Sequence, residues 1–226
     1  MSFKKNKYAI IRKAISKDLA TFLANYFSIK KQVFDTCREH RYISPFEKAF
    51  GYYETENEQV ANTYSHYSDV AMETLLLKCQ PKMEEATKLK LYPAYSYARL
   101  YKKGDELKRH KDRFSCEIST TMNLGGDDWP IYLSPNENVG IPDGKKITAK
   151  SKAKGIKVIL NPGDMLIYRG NILEHWRNKF KGNTCAQVFL HYNKVTSETK
   201  DNLYDGRPHL GLPDYFTKIY ELKNKK

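Results

Sequence analysis

From about Tyr92 onward the chain breaks into short apolar and aromatic runs, each bounded by Gly, Pro, Asn or Asp. The runs fall at 95–101, 107–114, 117–124, 130–133, 156–160, 165–168, 172–176 and 185–192. Segments this short and this closely spaced read as strands rather than helices. They predict a mainly β molecule of α+β class. Its expected architecture is a double-sheet jelly roll with N-terminal helices packed on one sheet.

The N-terminal part has a different periodicity. Residues 8–15 alternate weakly and predict a strand. Ser16 is placed to cap a helix along which Leu19, Phe22, Leu23, Tyr26 and Phe27 recur at helical spacing. Residues 45–64 read as irregular. Ser68-Asp69 is a second cap, followed by Val70, Met72, Leu75, Leu76 and Cys79. Pro81 is expected to interrupt that helix, with a short continuation to about Leu89. Residues 136–153 predict a long loop, and 213–222 a short C-terminal helix. The expectation is one domain over 1–226: helical support at 1–90, a jelly-roll core at 91–195 and an extension at 196–226.

Composition sets the outer bounds. With 226 residues, 40% hydrophobic and 29% charged, the chain can bury a core without covalent staples. No apolar run approaches the roughly 18–20 residues of a membrane span. The basic N-terminus lacks an apolar signal segment, so a cytoplasmic protein is expected, with a mitochondrial presequence as the alternative. Cys37, Cys79, Cys116 and Cys185 form no zinc-like spacing and read as reduced core residues. The net charge of +13 invites a nucleic-acid or anionic ligand, although the lysines are scattered, which favours a solvated surface. Oligomeric state is not legible.

The chemistry concentrates in Arg109-His110-Lys111-Asp112 and, far downstream, Glu174-His175-Trp176. Alternate side chains of a strand share a face, so His110 and Asp112 are expected to point the same way. A distant His175 can close a triangle. Two imidazoles and one carboxylate form the facial arrangement that suits Fe(II) and leaves open positions.

In this context the sequence resembles the 2-oxoglutarate-dependent iron(II) oxygenases, especially their prolyl-4-hydroxylase-like branch. The residues that carry the resemblance are Tyr97-Ala98-Arg99-Leu100-Tyr101, Gly104, the His110/Asp112 pair, and Pro162-Gly163-Asp164 before His175. It covers 91–192 well and the N-terminal helices loosely. It implies His110, Asp112 and His175 as ligands of Fe(II), with 2-oxoglutarate and O2 as cosubstrates. The implied reaction hydroxylates a substrate C–H bond and releases succinate and CO2.

One feature departs from that pattern. A basic residue is usual nine or ten positions beyond the last His, where this chain has Thr184 and Cys185. Arg177, two after His175 and on its face of a regular strand, is the first candidate to pair with the distal carboxylate. Arg99 and Tyr101 are further candidates, Thr184 a hydroxyl donor, and Asn123 a polar residue that either satisfies the backbone or touches the cosubstrate.

Three functions are compatible with these residues. The first is a hydroxylase of a prolyl, peptidyl or amino-acid substrate. The second is an oxidative nucleic-acid demethylase on the same scaffold, which the net charge supports and the lack of a two-arginine pattern after His175 opposes. The third is a non-catalytic jelly-roll binding module, supported by the missing downstream cation.

Overall fold

The computed structural model describes residues 3–55, 59–140 and 151–216. After a single helical turn, α1 (Phe3–Asn6), come β1 (Tyr8–Ile11), α2 (Lys17–Glu39), β2 (Tyr52–Tyr53), β3 (Tyr64–Tyr67) and α3 (Val70–Thr87). The β-rich part runs through β4 (Leu91–Lys102), β5 (Leu107–His110), β6 (Ile118–Gly126), β7 (Ile131–Leu133) and β8 (Ile156–Val158). It ends with β9 (Met165–Tyr168), β10 (His175–Arg177) and β11 (Thr184–Lys194).

These strands form two sheets. The larger has the order β1-β9-β6-β11-β4-β3-β2 and the smaller β5-β10-β7-β8. The pairings between strands are antiparallel. This is the expected jelly roll. Among the described residues, no helix is long and apolar enough to cross a membrane.

Alternation along β11 divides the molecule. Ala186, Val188, Leu190 and Tyr192 join the core under the helices, with Leu23 and Phe27 of α2 and Met72, Leu76 and Met83 of α3. Cys185, Gln187, Phe189 and His191 therefore face the smaller sheet. In register with them on β4 are Tyr101, Arg99, Tyr97 and Tyr95. On β6, Met122 and Leu124 go to the helices, which turns Ser119, Thr121 and Asn123 inward. The inner face of the large sheet is thus polar and aromatic, an unusual composition for a core wall.

The helix starts follow the sequence. Ser16 Oγ accepts from Leu19 N at 3.2 Å and Asp69 Oδ1 from Met72 N at 3.1 Å. Three expectations need correction. Pro81 lies inside a continuous α3. It sits on the exposed side one turn after exposed Leu77, so the carbonyl that loses its partner lies on the solvent side. The strand predicted over 107–114 stops at His110, and a 3-10 turn occupies Phe114–Cys116. Residues 45–64 are not wholly irregular, because β2 pairs with β3. Much of the predicted 213–222 helix and the centre of the 136–153 loop lie outside the described residues.

Candidate active site

His110 ends β5 and His175 begins β10, and the two are direct cross-strand partners. Their ring centroids are 4.1 Å apart. Asp112 lies beyond the end of β5, so strand alternation does not place it. Instead its backbone N–H donates to Gly170 O at 2.8 Å, and the carboxylate turns toward the imidazoles. Asp112 Oδ1 lies 3.4 Å from Nε2 of both His110 and His175.

The donor set fits a metal ion. Each imidazole uses Nδ1 on a backbone carbonyl, His110 on Lys108 O at 2.8 Å and His175 on Leu173 O at 3.0 Å. That fixes the tautomer and leaves both Nε2 lone pairs directed at the shared centre. Ligand atoms about 2.1 Å from one ion at right angles sit about 3 Å apart, close to the spacing here. Burial and the neighbouring His175 lower the His110 pKa, which keeps its lone pair available. Burial alone would raise the Asp112 pKa, but the two imidazoles more than offset it and hold the carboxyl well below its usual range.

Arg177 follows on the same strand and is 1% exposed. Two residues of strand rise separate it from His175 by about 7 Å. Its guanidinium donates to Thr121 Oγ1 at 3.1 Å, to Gln187 Oε1 at 3.2 Å and to Trp129 O. All three acceptors are neutral, and Arg177 Nε is buried with no hydrogen-bond partner. Among the described residues no carboxylate pairs with it. Burial dominates its pKa and works against the charge. An uncompensated buried cation is costly, so a site for an anion is the physical expectation.

The other candidates separate clearly. Tyr101 is fully buried, packs edge-on against Trp129 at 4.7 Å and feels the Arg177 charge. Arg99 is taken up by an ion pair with Glu54 and a 2.9 Å bond to Gln59 Oε1, so it is not a spare cation. Thr184 does not join Arg177: it is exposed at the start of β11 with the parity of the helix-facing residues. Asn123 is spent on the backbone, donating to Leu160 O at 2.7 Å and accepting from Gly125 N at 3.0 Å. Arg113 pairs with Asp205 at 2.7 Å.

Sequence reasoning missed Thr121, Gln187, Ser119 and Tyr168. Tyr168 is buried with its ring 4.7 Å from His175. Polar residues alternating with apolar ones on β6 and β11 were the available signal. A second cluster, Asp112, Cys116 and His191, also has metal-ligating atoms close together. It does not suit an ion. The Ser119 hydroxyl bonds both Asp112 and His191 at 3.0 Å. Burial raises the Cys116 thiol pKa, and the thiol is 3.0 Å from Tyr95 OH.

Fold and triad together define the class: a double-stranded β-helix with the fold of the 2-oxoglutarate-dependent iron oxygenases and a His-Asp-His cluster at its core. No protein-family model and no curated protein matches the sequence. Solved structures match its fold. A Pseudomonas putida prolyl-4-hydroxylase aligns with TM-score 0.52 at 13% identity, over 86% of this chain and 96% of that one. The epimerase SnoN from nogalamycin biosynthesis, solved with Fe3+, alpha ketoglutarate and nogalamycin RO, gives TM-score 0.60 at 10% identity, over 86% and 81%. HygX from Streptomyces hygroscopicus, solved with nickel and 2-oxoglutarate, gives 0.53 at 12%, over 85% of each chain. At such identities the likeness speaks for the fold, and the chemistry rests on this chain's own residues.

Proposed function

We propose that the chain is a 2-oxoglutarate-dependent Fe(II) oxygenase. His110, Asp112 and His175 would hold the iron, and Arg177 would pair with the distal carboxylate of the cosubstrate. When bound, iron and 2-oxoglutarate supply O2 activation coupled to decarboxylation of the ketoacid to succinate, which provides the oxidising power for a substrate C–H bond. The observation that carries this reading is Arg177. A binding module with no anionic ligand has no use for a buried guanidinium whose acceptors are all neutral.

The chain's own share is orientation and exclusion. Ser119 meets Asp112, and Thr121, two residues on, meets Arg177. β10 repeats that two-residue offset between His175 and Arg177, so both walls of the pocket have the same span. Trp129, Tyr101 and Phe180 close the anchor end against water.

The substrate would approach over β4, β3 and β2, which extend the seven-stranded sheet beyond the width of the four-stranded one. Partly buried Tyr52, Tyr67 and Tyr97 lie there beside Phe189. The ionised groups of that wall pair internally, Arg99 with Glu54 and Arg113 with Asp205. An aromatic wall with its charges neutralised favours packing on a saturated ring or chain, as in a prolyl, peptidyl or amino-acid substrate, over a phosphate backbone.

The test is anaerobic titration with Fe(II) and 2-oxoglutarate. A weak visible charge-transfer band is expected in the native protein and its loss in His110→Ala. Succinate release in the presence of proline-containing peptides, compared with free amino acids and methylated oligonucleotides, then ranks the substrate classes. Stimulation by the oligonucleotides alone, falling steeply with salt, would favour the demethylase.

A further inference from the structure

The two carboxylate oxygens of Asp112 have different surroundings. Oδ1 faces both imidazole Nε2 atoms at 3.4 Å. Oδ2 turns away and accepts from Ser119 Oγ at 3.0 Å. A Cβ placed on Gly170 would fall 2.3 Å from Oδ2 and 2.5 Å from Ser119 Oγ, so the Oδ2 side is closed by backbone.

Ser119 Oγ has three polar neighbours: Asp112 Oδ2, Cys116 O at 2.9 Å and His191 Nδ1 at 3.0 Å. A hydroxyl has one proton to give. The carboxylate and the carbonyl can only accept. If His191 Nδ1 carried no proton, three acceptors would compete for a single hydrogen in a buried site. With a proton on Nδ1, His191 donates to Oγ, and Oγ is free to donate to the charged carboxylate, the strongest acceptor present. His191 can donate this way whether neutral or charged. The ring is 6% exposed and lies against Tyr95 with centroids 4.5 Å apart, so it is packed inside the protein rather than solvated.

We infer that Ser119 and His191 are positioning residues: hydrogen bonds from His191 Nδ1–H through Ser119 Oγ to Asp112 Oδ2 hold this carboxylate as a one-oxygen ligand. The inference rests on reading His110, Asp112 and His175 as metal ligands. Its consequence is a count of positions. Three protein bonds would leave a six-coordinate ion with open positions for a ketoacid and O2. A carboxylate free to bind through both oxygens would remove one of them.

Co(II) is the probe, read by its visible ligand-field spectrum and by affinity, with 2-oxoglutarate added. Ser119→Ala and His191→Ala are each expected to weaken Co(II) binding on the order of 10–100-fold and to change the band shape. Ser119→Thr keeps the hydroxyl and is expected to restore both. His191→Asn puts an amide N–H near the Nδ1 position and is expected to do the same. The double alanine variant should be no worse than Ser119→Ala, because the two side chains form one series. In the Zn(II)-loaded protein, 15N–1H correlation is expected to find His191 protonated at Nδ1. Wild-type affinity and spectrum in both alanine variants, or an Nε2–H tautomer, overturns the positioning role while the metal reading stands. Failure of the unmodified protein to bind Co(II) overturns the metal reading itself and the positioning role with it.

Discussion

Arg177 and Gly170 show what single residues contribute here. Arg177 is buried among neutral acceptors, so its charge costs stability unless an anion pairs with it. Arg177→Met should therefore weaken 2-oxoglutarate binding on the order of 100-fold, as expected for loss of a charge-assisted fork, while leaving Co(II) affinity within a few-fold. The ligand-free variant should melt no lower than the parent, because it loses an unpaired buried cation. Calorimetric titration and thermal melts read the two effects separately. Gly170→Ala should lower metal affinity by at least tenfold, since the new methyl meets Asp112 Oδ2 at 2.3 Å and the opposing contacts include backbone. At this scale the sequence was readable where chemistry and spacing coincide: His110, Asp112, His175 and Arg177 stand in two short segments. Thr121, Gln187, Ser119 and His191 were opaque as partners. Each reaches the site through the register of β6 and β11, which shifts between Ala186 and Gln187 and is not visible in a count of positions along the chain. Thr184 lies away from Arg177 because the segment joining β10 to β11 passes from one sheet to the other, so strand parity does not carry over from His175.

Among the elements, α3 carries the clearest electrostatic design. Its cap Asp69 accepts from Met72 N and from Tyr26 OH at 2.7 Å, and it pairs with Lys30 of α2. Burial pushes the Asp69 pKa up, but His66 and Lys30 more than offset this and hold it well below the usual carboxylate range. The folded pKa is thus below the unfolded value of about 3.9. Such a group stabilises the fold fully above the unfolded pKa, and its contribution is lost as pH falls through the folded value. Asp69→Asn keeps a capping oxygen and removes the charge. It should cost about 1–2 kcal/mol at pH 7, and the gap from the parent should begin to shrink below about pH 4, the unfolded value, and keep shrinking toward the lower folded pKa. Urea denaturation across pH 3–7 measures it; a gap that persists unchanged at pH 3 would exclude the ionic origin. Both helix starts were legible because a cap residue directly precedes the apolar periodicity. The break at Pro81 was not, because the cost of a proline depends on whether the orphaned carbonyl meets water or core, and this one lies on the exposed side. The end of β5 at His110 was equally hidden, since what turns Asp112 is a backbone bond to Gly170, far along the chain.

At the scale of the whole molecule, the site is where the two sheets are tied together. His110, His175 and Arg177 come from β5 and β10 of the smaller sheet. Ser119, Thr121 and Gln187, which meet Asp112 and Arg177, come from β6 and β11 of the larger one. Filling the site should therefore stabilise the sandwich as a unit. A ligand at 100 times its dissociation constant adds about 2.7 kcal/mol, and a chain of this size gains about 2–4 °C per kcal/mol. Zn(II) should thus raise Tm by about 5–10 °C, and 2-oxoglutarate added afterwards by a similar further step. The variants divide these steps. Arg177→Met should keep the metal increment and lose most of the second. His110→Ala should lose both, because the ketoacid depends on the metal for its other end. Succinate, which retains the distal carboxylate and lacks the keto group, should give a smaller second step in the parent and none in Arg177→Met. If 2-oxoglutarate gives no increment over Zn(II) in the parent protein, Arg177 is a structural cation and the cosubstrate assignment fails; if it gives the same increment in Arg177→Met, the anchor lies elsewhere on the inner face.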